Sequence, residues 1–158
     1  MWRSAFLVGL GCGVLAALLA GWPGASSQWL ASDGASLLGL WDLWFATQRG
    51  LGEGLHTQLT RFPEGEVLAP ALLGELPLAW LLVKIFGLKG GWSALFLVRT
   101  LAAGMGAALV LSRHGRHPAL GILFALAPPL LGATKAGLLS PGALAWLPWA
   151  LLGPRDTL

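Results

Sequence analysis

The sequence predicts an all-α fold, a multi-pass bundle of four or five transmembrane helices with one interfacial amphipathic helix in its first external loop. Three observations predict it. Hydrophobic residues make up 56% of the chain and charged residues only 11%, with a mean hydropathy of +0.72. Several uncharged or nearly uncharged runs are long enough to cross a bilayer. The acidic residues are gathered into one polar stretch instead of being spread over a surface. Soluble domains carry about 25% charged residues, and a domain of roughly 150 residues still leaves about 30% of its unfolded area in water. The apolar surplus here therefore has to face lipid.

The elements follow in order, within one transmembrane domain covering residues 1–158. Residues 5–22 are uncharged and, as a helix, reach about 27 Å. Arg3 precedes them. A basic start and an apolar middle also describe a signal peptide. The length of this run, and the Gly9/Gly13 spacing that suits close helix packing, favour a retained span. Residues 23–66 form the long polar loop. It holds Asp33, Asp42, Glu53, Glu64 and Glu66, five of the seven acids, but only Arg49 and Arg61 of the ten basic residues. Within it, residues 35–48 place Leu37, Leu38, Trp41, Trp44 and Phe45 near one helical face. That stretch is too short and too polar at its ends to span, so it is expected to lie in the interface.

Residues 67–86 are read as the second span, interrupted by Pro70 and Pro77 and carrying Glu75. Residues 92–112 form the third, carrying Arg99, and 113–117 form a basic turn. Residues 118–133 are the fourth, and the proline-broken 138–152 the fifth, re-entrant or incomplete. Trp2, Trp22, Trp92, Trp146 and Trp149 stand near ends of these runs, where an interfacial aromatic belt would put them. Arg3 favours a cytoplasmic N-terminus. The loop 23–66 is then external, Lys84 and Lys89 face the cytoplasm, and the turn at 113–117 lands outside, against the positive-inside rule.

Composition excludes several functions. The lone Cys12 rules out an internal disulfide and a cysteine metal cluster. No basic stripe with interleaved aromatics supports nucleic-acid binding. There is no P-loop, no GxGxxG after a strand, no GxSxG and no HExxH. His56 has no ligand partner at helical spacing, so no metal site is assigned.

The residues left with chemical potential are few. A charge at the centre of a membrane helix costs roughly 2.5–3.5 kcal/mol, which singles out Glu75 and Arg99. Each lies inside its helix at a comparable distance from the connecting loop, so they are expected to pair, or else to bind a substrate headgroup. Lys84 lies near a helix end and can snorkel. In the external loop, Asp42 sits between Trp41 and Trp44, and Asp33 is also read as a helix N-cap in Ser32-Asp33-Gly34. A carboxylate at a membrane surface can act as a general base, or hold a cation that grips a phosphate.

The order Trp41-Asp42-Leu43-Trp44, Leu55-His56-Thr57-Gln58-Leu59, Phe62-Pro63-Glu64-Gly65-Glu66 and then a proline-bearing run ending Ile85-Phe86-Gly87 resembles the N-terminal part of GT-C-type membrane glycosyltransferases. Arg99-Thr100, the basic turn and Phe124-Ala125-Leu126-Ala127-Pro128 fit the same order. The resemblance covers roughly residues 1–152 through short motifs. It implies a protein of the bacterial cytoplasmic membrane that uses a polyprenyl-phosphate sugar. Asp42 would inherit the role of catalytic base or metal-binding aspartate, with Asp33 as second candidate. His56, Arg61, Glu75 and Arg99 would bind substrate, with a divalent cation as cofactor. Phe45 and Ala46 stand where the family often has His or Asn, and Ser140-Pro141 where it often has an acid. Family enzymes are several times longer, so the resemblance also implies a truncated, remnant or stand-alone relative. A non-enzymatic subunit packed against a larger membrane partner is the competing expectation. Membrane lipid is a partner on either reading.

Overall fold

The computed structural model describes residues 1–20, 56–57, 66–67, 75–127 and 143–152. They are almost wholly helical, and two of the helices are long and apolar enough to cross a membrane. The predicted interfacial helix at 35–48 lies outside the described residues.

Helix α1, Trp2–Ala20, has 19 residues. That gives it a length of about 28 Å. Its buried face carries Ala5, Gly9, Cys12 and Ala16, one helical stripe of small side chains. Its other face exposes Leu7 at 68% and Leu18 at 75%. Small residues inside and large apolar residues outside reverse the pattern of a soluble helix. They fit a helix whose contacts are made by close backbone approach and whose outer face meets hydrocarbon.

Between α1 and the next helix, two short strands pair antiparallel: β1, His56–Thr57, and β2, Glu66–Val67. His56 stands opposite Val67, and Thr57 opposite Glu66. The sequence between the strands contains Pro63 and Gly65, both poor helix formers.

Helix α2, Leu76–Arg113, is continuous in hydrogen bonding but broken at Gly87, whose φ of 72° and ψ of 171° are non-helical. Almost only glycine adopts that region. In a straight helix Glu75 and Arg99 would stand about 36 Å apart, yet their side chains bond directly. The chain therefore folds back at Gly87 into an antiparallel hairpin with arms 76–86 and 88–113. A Cβ on Gly91 would lie 2.5 Å from the backbone N and Cα of Val83, so the arms touch backbone to backbone beside the turn. Ala79 and Val83 of the first arm pack on Trp92, Leu95 and Phe96 of the second. The Trp92 and Phe96 rings meet edge to face at 5.6 Å. Pro77 sits in the first helical turn, where its missing N–H costs nothing.

The arm 88–113, about 39 Å long, is the hub of the fold. α1 packs antiparallel to it. Ala5 clusters with Ala108 and Leu109, a Cβ on Gly9 would meet the Leu101 carbonyl at 2.8 Å, and Ala17 and Leu18 line a groove with Leu97 and Val98. After α2 come a 3-10 turn, Pro118–Leu120, and the short helix α3, Gly121–Ala125. A second 3-10 turn, Ala143–Trp146, leads into α4, Leu147–Leu151. Cys12, Ala103, Ala125 and Ala145 bring the N-terminal helix, the hub and both short segments into one cluster. The described helical part of the predicted second span, 76–86, is about 16 Å long, less than a bilayer core. α3 and α4 are shorter still.

The antiparallel packing corrects the expected arrangement of charges. Arg3 and the turn 113–117 lie at the same end of the bundle. Lys84 and Lys89 lie at the other end, beside the Gly87 turn and on the side where α1 finishes. The sequence reading had counted 67–86 as a crossing between Arg3 and that turn, which inverted both positions. Lys84 is exposed, with its Nζ 5.6 Å from the centroid of the Trp80 ring, as a snorkelling lysine near a helix end would be.

The basic turn itself is well formed. Gly115 N–H donates to the Ser112 carbonyl at 3.2 Å and Arg116 N–H to the Leu111 carbonyl at 2.9 Å. This double bond pattern, with Gly115 at φ 67°, is a Schellman cap. Gly115→Ala is expected to lower stability by about 1 kcal/mol, read as a drop in thermal unfolding midpoint in detergent with unchanged helix content.

Candidate functional site

Burial makes the polar requirements of this site strict. Arg99 is 3% exposed and Glu75 13%. Arg99 is held in the middle of the 88–113 arm, and Glu75 is the N-cap residue of α2, so the hairpin brings them level. Arg99 Nε donates to Glu75 Oε1 at 3.1 Å and to Oε2 at 3.0 Å, and Nη2 donates to Oε2 as well. Trp146 Nε1 donates to Oε1. The guanidinium also lies 5.2 Å from the centroid of the Phe96 ring, whose carbonyl accepts from Thr100 Oγ1 at 3.0 Å.

This arrangement settles charge locally. A lone buried ion would be costly, but a carboxylate facing a guanidinium fork recovers Coulomb energy and two-point geometry together. Both Glu75 oxygens are already occupied by donors. The side chain of Glu75 therefore does not cap its own helix, because its oxygens are turned to Arg99 and Trp146. Chemically, the cluster is built to hold three segments together: the start of α2, the middle of α2 and the 143–146 turn.

Two further bonds fix the 143–152 segment against the hub. Trp149 Nε1 donates to the Ala102 carbonyl at 2.8 Å, with the indole lying over Gly106, where a Cβ would come within 2.7 Å of it. Arg113 Nη1 donates to the Leu152 carbonyl at 3.2 Å.

Of the six residues singled out from the sequence, the structure brings Glu75 and Arg99 together. His56 lies in β1. Asp33, Asp42 and Arg61 lie outside the described residues. Sequence reasoning missed Trp146 and Trp149, which it assigned to an interfacial belt. Trp92, assigned likewise, is fully buried in the hairpin core, whereas Trp2 is exposed. No local signal pairs these indoles with their acceptors: Trp146 stands 71 residues from Glu75 and Trp149 47 residues from Ala102.

Two grooves open on the outer surface, one of about 420 Å³ between α1 and the hub and one of about 340 Å³ between the hub, α3 and α4. Every residue lining them is apolar. Among the described residues no three His, Cys, Asp or Glu side chains converge as a metal-binding set. No family model matches the chain, and neither a curated protein nor a solved structure matches it.

Proposed function

We propose that this chain is a glycosyltransferase-like integral membrane protein that presents its acidic, tryptophan-bearing loop 23–66 on the outer face of a bacterial cytoplasmic membrane and binds a lipid-linked sugar there. Asp42 acts as the base or cation-holding carboxylate on this reading, with Asp33 as the second candidate and His56 and Arg61 as substrate-binding residues. The supporting observation is the separation of charge along the bundle. Arg3, Arg113 and Arg116 gather at one end of the bundle, and α1, which leads toward the acidic segment, finishes at the other end together with Lys84 and Lys89. α1 and the 88–113 arm then make two full crossings. The described arm 76–86 starts level with Arg99 and ends at the Gly87 turn, on the side where α1 finishes.

A second reading, a non-enzymatic subunit packed against a larger membrane partner, is favoured by one specific observation. Glu75 and Arg99 are bonded to each other and to Trp146, not presented to a ligand.

Native mass spectrometry of the chain extracted gently from its own membrane separates the two. The first reading expects an adduct with the mass of a polyprenyl phosphate, lost in Asp42→Ala while helix content is kept. A stoichiometric protein partner with no such lipid would replace it with the second.

A further inference from the structure

The basic end of the bundle has no ligand assigned to it by either function. Two residues out from the Ala5 contact with Ala108 and Leu109, Arg3 reaches the level of the last turn of α2, which carries Arg113. The Schellman cap then turns His114, Arg116 and His117 outward, all exposed. Glu75, at the level of Arg99, is about 21 Å away along the helix. Below the cations the surface becomes apolar: Leu120 is 47% exposed and Leu151 68%.

We infer that this end is a binding surface for anionic phospholipid headgroups, formed by Arg3 from one end of the sequence and Arg113 and Arg116 from a turn far along it. The reason is the vertical order of the surface. Cations are arranged around the end of an apolar bundle, with exposed leucines within one or two turns below. An acidic protein would meet the cations without needing the apolar belt. The headgroup plane of a bilayer presents phosphates at the level of the arginines and hydrocarbon at the level of the leucines. The inference rests on α1 and the 88–113 arm crossing a bilayer, but not on the lipid-linked sugar.

The test uses the full chain in nanodiscs of phosphatidylcholine containing a fixed fraction of phosphatidylglycerol. Release into mild detergent is followed by native mass spectrometry of the lipids that remain bound. Retained phosphatidylglycerol is expected to exceed its bulk fraction, with the excess falling about fivefold for each arginine replaced by glutamine. Arg3→Gln/Arg116→Gln carries the test, because both side chains are exposed and their loss leaves the fold in place, as checked by helix content. Lys84→Gln/Lys89→Gln, at the opposite end, is expected to keep the excess. Equal retention of the two lipids by the wild type, or an excess lost with the lysines and not with the arginines, overturns the inference. A chain removed from membranes by alkaline carbonate would instead overturn the membrane-spanning reading on which it stands.

Discussion

Arg99→Ala is expected to destabilise the protein far more than the double substitution Glu75→Gln/Arg99→Ala. The single change leaves the Glu75 carboxylate, 13% exposed, facing an empty space in an apolar surrounding with only the Trp146 indole still donating to it. Stranding one member of a buried ion pair costs about 3–5 kcal/mol. Replacing the carboxylate by a neutral amide removes the stranded charge, so the double variant recovers a large part of that loss. Thermal unfolding in detergent, run as a double-mutant cycle, reads the coupling directly. Simple addition of the two single losses would mean that the pair contributes nothing as a pair. Arg99→Lys is expected to behave closer to Arg99→Ala than to the wild type. An ammonium cannot make the two-point contact to both oxygens while lying over the Phe96 ring.

The second large effect is expected at the hairpin. Gly91→Leu places a side chain where even a Cβ would lie 2.5 Å from the Val83 backbone. Backbone cannot move aside as a flexible side chain can. The arms must therefore separate near the turn, and overpacking of this kind costs about 1–3 kcal/mol before any longer-range loss. The longer-range loss is the informative part. Ala79 and Val83 lift from Trp92, Leu95 and Phe96, and Glu75 is drawn away from Arg99. The coupling between Glu75 and Arg99 measured by the cycle above is therefore expected to shrink sharply in the Gly91→Leu background. If that coupling is unchanged, the two arms are not held by the contact at Gly91. Gly104→Leu makes a useful comparison, because a Cβ there would meet the Cys12 side chain at 2.5 Å. It should loosen α1 from the hub while leaving the hairpin coupling intact.

The sequence was legible where one residue's own physics decided the outcome. A charge within an apolar run is costly wherever it lies, so Glu75 and Arg99 stood out as each other's partners, and the structure joins them. The Gly9/Gly13 spacing was legible as a packing signal, and it is half realised: a Cβ on Gly9 would meet the Leu101 carbonyl at 2.8 Å, one on Gly13 only the Leu101 side chain at 3.8 Å. Trp146 was not legible as the third member of the cluster. An indole at the end of an apolar run fits an interfacial belt equally well, and 71 residues separate it from its acceptor. Nor was Gly87 recognisable as the point of reversal. It is one of 23 glycines, and only the facing contacts of Ala79, Val83 and Gly91 identify it.

The chain's composition and apolar runs determined by themselves that it builds helices long and apolar enough to cross a membrane, because uncharged runs of that length leave a helix no polar face. The tertiary structure decided which ends of those helices share a side. Apolar length tells how far a helix can reach but carries no record of direction, and a run that folds back on itself scores the same as one that passes through. Once the chain reverses at Gly87 and α1 packs antiparallel on the hub, Arg3 and the 113–117 turn fall together, which reading the spans in succession had placed apart.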